Sequence, residues 1–133
     1  MLSFFFAFID TFKNTSDTKT LHVSRHIEAI KLFINQNYMH QTFTIHSIAD
    51  MMHISHSWLC ALFKRETSMS MRQYLIDVRL KHATQLLLES DLPVNEISYM
   101  CGFFDALYFS AAFKKRYIVS PLNYRKKYKK AIK

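Results

Sequence analysis

The stretch FKRETSMSMRQYL, Phe63 to Leu75, returns fifty residues later as FKKRYIVSPLNYR, Phe113 to Arg125. Both begin Phe-Lys followed by a second basic residue, place Ser seven residues after the Phe, and place Tyr eleven after it. Upstream, SIADMMHISHSWLCALFK matches EISYMCGFFDALYFSAAFK once one residue is inserted in the second copy. Each copy reads as a short helix, a turn of three or four residues, and a longer helix ending in Phe-Lys, the sequence form of a helix-turn-helix. A fold for this chain must therefore contain the same small helical unit twice.

Composition supports an all-α reading. Glycine occurs once and proline twice in 133 residues, too few for the tight turns of a sandwich or hairpin-rich barrel. The lone Gly102 also excludes a glycine-rich phosphate cradle, which needs several positions without Cβ, and this argues against a nucleotide-dependent enzyme.

Periodicity places about seven helices. Ser24 is expected to cap a first helix whose Ile27, Ile30, Phe33 and Ile34 share one face. A second is expected over Ile45 to Met52, and a third from Ser55 to about Glu66. Ser70 and Gln73 read as a capping box opening a long connecting helix, Met71 to Glu89, with Leu75, Val78, Ala83, Leu86 and Leu87 on one side. Pro93 introduces Val94 to Met100, Asp105 caps Ala106 to Tyr117, and Ser120 with Pro121 starts the last helix. The expected organisation is an apolar start and polar linker over 1–23, a first helix-turn-helix over 24–69, a connecting helix over 70–90, and a second helix-turn-helix with a basic tail over 91–133.

Charge identifies the partner class. The chain carries +8, and from Lys114 onward there are nine basic residues and no acidic one, so residues 1–113 hold nine basic against ten acidic side chains. A polyanion is the expected partner, nucleic acid before an anionic membrane surface. Cys60 and Cys101 form no CxxC pair and suggest no disulfide framework, which fits a reducing cytosol. The apolar run Leu2 to Ile9 is too short to span a bilayer and lacks the positive flank and cleavage site of a signal peptide.

Helical geometry divides the longer helix of each copy into two faces. Leu59, Leu62 and Phe63 share an inward face in the first, leaving His56, Ser57, Cys60, Ala61 and Lys64 outward. In the second, Phe109, Ala112 and Phe113 face inward, and Ala106, Leu107, Ser110, Ala111 and Lys114 outward. Such a strip suits a major groove, and two modules held about 34 Å apart would meet one face of a duplex without a dimer.

The run Glu96 to Lys126 resembles the C-terminal signature of AraC/XylS-type transcription regulators, with Gly102-Phe103, Tyr108-Phe109-Ser110, Phe113-Lys114, Ser120-Pro121 and Tyr124-Arg125 in the expected order. The resemblance extends over about Ser24 to Tyr128. It implies an all-α, homeodomain-like fold with two helix-turn-helix modules on a long connecting helix, gripping successive major grooves of promoter DNA and contacting RNA polymerase. The sequence departs from that family's pattern where Ser68 and Ile118 replace the usual Gly after each Phe-Lys helix; Ile is poorly suited to the left-handed backbone there, so the sixth helix is expected to run on or be strained. Ser98 replaces the usual Ala, a mild change.

The base-facing candidates, His56, Ser57, Cys60, Ala61, Ala106, Leu107, Ser110 and Ala111, lack the Arg and Gln that relatives use for bidentate base contacts. Binding is therefore expected to rest on phosphate grip by Lys64, Arg65, Lys114, Lys115 and Arg125 and to favour A/T-rich DNA. His53, His56 and Cys60 share a helical spacing, but no fourth ligand accompanies them, so no metal, cofactor or catalytic role is expected. Phe103, Tyr108, Phe109 and Phe113, with Ile54, Trp58, Leu59 and Phe63 in the first copy, are expected in the core, Phe104 being the exception.

These readings converge on a bacterial, cytoplasmic and nucleoid-associated DNA-binding regulator, an activator acting with RNA polymerase and not an enzyme or a membrane protein. Full-length relatives carry an effector or dimerisation domain before this region, and 133 residues leave no room for one, so control by abundance or partner proteins is expected. Leu2 to Phe12 is expected to pack on its own chain or to be disordered, with self-association or docking to a full-length regulator as the alternative.

Overall fold

The computed structural model describes the backbone of residues 19–132 and the side chains of 25–129, so the apolar segment 2–12 lies outside the described residues. The described residues form seven helices and no strand: α1 (Lys19–Asn37), α2 (Ile45–Met52), α3 (His56–Thr67), α4 (Met71–Glu89), α5 (Val94–Met100), α6 (Ala106–Tyr117) and α7 (Pro121–Ile132). The all-α architecture and the order of helices are those expected. One boundary differs: α1 begins at Lys19, which places Ser24 inside the helix and not at its cap. Residues 19–23 hold no Gly or Pro to stop helix propagation toward the N-terminus.

The chain divides into two compact units. Of the described residues, the first holds 19–36 with 45–71, and the second 37–44 with 72–132. The expected division at 69/70 and 90/91 follows the chain, whereas compactness groups nearly all of the long helix, and the loop before α2, with the second module.

In the first unit α1 buries Ile27, Ile30, Phe33 and Ile34, the i, i+3, i+6, i+7 positions of one face. Ile48, Ala49 and Met52 of α2 are buried, as are Leu59, Leu62 and Phe63 of α3, and these two helices pack on each other. In the second unit Leu80, Ala83 and Leu87 of α4 meet Ile97, Cys101, Phe103, Phe109 and Phe113 in one core. Phe109 lies 5.0 Å from Phe103 and 5.8 Å from Phe113, tilted aromatic contacts that join the turn to α6. Ser98, the family's usual Ala, is fully buried and satisfied, its Oγ donating to Asn95 O at 2.8 Å.

Arg79 organises the loop Asn37–Thr44. Its Nε donates to Tyr38 O at 2.8 Å and its Nη2 to His40 O and Phe43 O, both at 3.1 Å. One guanidinium thus satisfies three carbonyls of a segment without a regular hydrogen-bond ladder. Tyr38 also stacks on His82 at 4.0 Å, and Gln41 Nε2 donates to Phe103 O at 3.2 Å.

Candidate nucleic-acid interface

Each unit contains the same turn, and the structure shows where the inserted residue sits. His53 and Gly102 both take a positive φ, 55° and 95°. Ile54 and Phe103 follow at matching places, half-buried and buried. Ser55 and Asp105 then cap α3 and α6: Ser55 Oγ accepts from Trp58 N at 3.3 Å, and Asp105 Oδ1 accepts from Leu107 N at 2.8 Å. The extra residue of the second copy is Phe104, extruded between Phe103 and the cap.

A glycine is required at 102 in a way that is not matched at His53. A Cβ built on Gly102 would lie 2.1 Å from Tyr38 O and 2.8 Å from Arg79 Nε, so the loop carbonyl and its guanidinium occupy the space any side chain would need.

Of the base-facing candidates, Ser57, Ala61, Leu107 and Ala111 are exposed, and His56, Cys60, Ala106 and Ser110 are half-buried. His56 and Cys60 touch: His56 Nε2 lies 3.6 Å from Cys60 Sγ, and the His56 ring stacks on His46 at 3.7 Å with 7° between planes. Burial raises the pKa of the Cys60 thiol. His53 is in the turn, exposed, and among the described residues no group of three or more His, Cys, Asp or Glu is arranged to hold a metal ion.

Among the phosphate candidates, Lys64 and Arg65 lie exposed in the last turn of α3, and Lys114 and Lys115 in the last turn of α6. Arg65 also pairs with Glu66 at 3.0 Å. Arg125 is engaged elsewhere: its Nε donates to Leu87 O at 3.0 Å and its Nη2 to Ser90 O at 3.2 Å, capping the C-terminus of α4 together with Lys129, whose Nζ donates to Ser90 O at 2.8 Å and pairs with Asp91. Any phosphate contact by Arg125 would have to come from its remaining donors.

Two core expectations are corrected. Trp58 and Tyr108, at matching positions of the two copies, are 50% and 45% exposed, because each stands one residue before the buried i, i+3, i+4 positions, at the edge of that face. Phe103, Phe109 and Phe113 are buried as expected, and Phe104 is 83% exposed. Sequence reasoning missed Arg79 and Arg116. Arg79 carried no signal beyond a cation between the apolar Val78 and Leu80 of the long helix, and Arg116, in the same basic turn as Lys114, sits 3.9 Å from Asp77.

Comparison with known proteins agrees with this geometry. The family described as a helix-turn-helix domain matches residues 48–127. The chain is 38% identical over 101 residues to the HTH-type transcriptional regulator YijO of Escherichia coli, covering 76% of this chain and 35% of that protein. It is 37% identical over 93 residues to the lactose operon transcription activator of Staphylococcus xylosus, covering 70% of this chain and 33% of that protein. The chain thus spans about a third of the length of the curated relatives it matches. Among solved structures, the C-terminal domain of AraT, a response regulator from Geobacillus stearothermophilus, superposes with a TM-score of 0.73 at 32% identity, covering 76% of this chain and 84% of that one. These are transcription regulators and not enzymes, and the chain belongs with them to the AraC/XylS-type family of helix-turn-helix regulators.

Proposed function

We propose that this chain regulates transcription by binding duplex promoter DNA in the bacterial cytoplasm, α3 and α6 each entering a major groove. The observation that carries this reading is the duplicated recognition helix, each with small or apolar side chains outward and a basic last turn: Lys64 and Arg65 in α3, Lys114, Lys115 and Arg116 in α6. Base edges would face His56, Ser57, Cys60, Ala61, Ala106, Leu107, Ser110 and Ala111, while Lys64, Arg65, Lys114 and Lys115 contact phosphates. Small outward side chains cannot form bidentate pairs with guanine or adenine, so site choice falls to thymine contacts, shape and deformability, and favours A/T-rich DNA. The activator named among the relatives supports activation as the outcome, with RNA polymerase as the partner the reading requires.

Two measurements test the proposal. Affinity of the full chain for duplex DNA should fall steeply as salt rises, the mark of counterion release. Selection from random DNA should return A/T-rich sites, and a long guanine-specific consensus would overturn that part of the reading. Deleting residues 1–12 tests docking or self-association through the apolar start: unchanged mass and unchanged promoter binding would leave that alternative without support.

A further inference from the structure

We propose that Phe104 and Leu107 are thymine readers, packing their side chains on C5-methyl groups in the groove entered by α6. The inference deepens the DNA-binding reading above and rests on it. Phe104 and Leu107 are the two most exposed large apolar side chains described, at 83% and 81%. They flank Asp105, whose carboxylate holds Leu107 N at 2.8 Å, so the backbone that carries them is fixed at the leading end of the recognition helix. In helix-turn-helix proteins that end is the one that meets base edges.

Neither residue is needed by the core. Phe103 already fills the turn's core position, 2% exposed and 5.0 Å from Phe109, and Phe104 is the residue by which this turn exceeds its counterpart in the first module. At the position matching Leu107 the first module has Ser57. The apolar tip is therefore a property of the second module alone.

The occupant follows from what else the helix presents. An apolar protein surface would suit Phe104 and Leu107 but would give no anionic partner to Lys114 and Lys115, exposed in the last turn of the same helix. A major groove offers both: phosphates along its walls and, on its floor, one exposed apolar group, the thymine methyl. Thymine contacts should consequently be concentrated in the half of the site read by the second module.

The test uses the full chain and an A/T-rich duplex selected from random DNA, prepared with thymine and, position by position, with deoxyuracil, which lacks only the methyl. Wild type should lose about fourfold in affinity at each contacted position, the equivalent of one buried methylene-sized group. Phe104→Ser and Leu107→Ala should each bind the thymine duplex more weakly and lose sensitivity to deoxyuracil at one of those positions, whereas Leu122→Ala, on α7, should keep it. Equal wild-type affinity for every thymine and deoxyuracil duplex would overturn the proposal while leaving salt-dependent DNA binding intact. So would variants that weaken both duplexes equally, or that keep full methyl sensitivity but fail to activate transcription, the latter pointing to a protein contact. Absence of salt-dependent duplex binding by wild type would remove the DNA-binding reading itself, and this inference with it.

Discussion

Ser68 and Ile118, fifty residues apart, close their recognition helices in the same way: each takes the left-handed conformation, φ 62° and 75°, and each donates its N–H at 2.8 Å to the carbonyl of the lysine four residues earlier, Lys64 or Lys114. The helix before Ile118 ends on time despite the β-branched side chain, which is 77% exposed and gains little from packing. The fold therefore imposes the conformation on a residue that resists it.

Ile118→Gly should accordingly stabilise the protein by about 1 kcal/mol, the strain of a left-handed β-branched residue being larger than the entropy glycine adds to the unfolded chain. Ser68→Gly should gain less, because Ser tolerates the conformation better. Urea denaturation of the two variants beside wild type measures both, and a destabilised Ile118→Gly would refute the strain.

Gly102 and Arg79 share one packing constraint. Gly102→Ala would drive a methyl into Tyr38 O and Arg79 Nε at a φ of 95°, and should destabilise by about 3 kcal/mol or more. Arg79→Ala removes three hydrogen bonds to the loop carbonyls, of which His40 O keeps Phe43 N as a donor, and should cost about 2–4 kcal/mol; Arg79→Lys should recover only part, since an ammonium lacks the planar fork that reaches all three. Thermal unfolding checks the order: wild type, then Lys, then Ala.

The proposed phosphate grip has a distinct signature. Lys114→Ala should lower the slope of log affinity against log salt by about one unit and leave site preference unchanged. An unchanged slope, measured by anisotropy across a salt series, would strike Lys114 from the contacts.

His82 sets a pH dependence. Burial, aided by Lys81, pulls its pKa below 6.5, so the neutral ring stacked on Tyr38 is the folded form. Below that value the unfolded chain binds the proton more readily, so stability is fully present above pH 6.5 and declines as pH falls toward and through the folded pKa. His82→Phe, which keeps an aromatic face, should flatten the stability profile over that window, as chemical denaturation at a series of pH values would show.

The helices and the doubled turn were legible in the chain itself, because apolar spacing and some caps are local signals: Asp105 before α6 and the Ile27, Ile30, Phe33, Ile34 face of α1 needed no knowledge of neighbours, whereas Ser24, read as a cap, lies inside α1. So was the family signature around Gly102 and Phe113. Tertiary structure alone decided which partners those residues meet. That Arg125 caps α4 while Lys114 stays exposed, and that Arg79 ties down residues 38–43, both depend on contacts between segments far apart in sequence. Hydrogen-bond acceptors and buried space at that range leave no trace in periodicity, since local pattern specifies a face but not what lies against it.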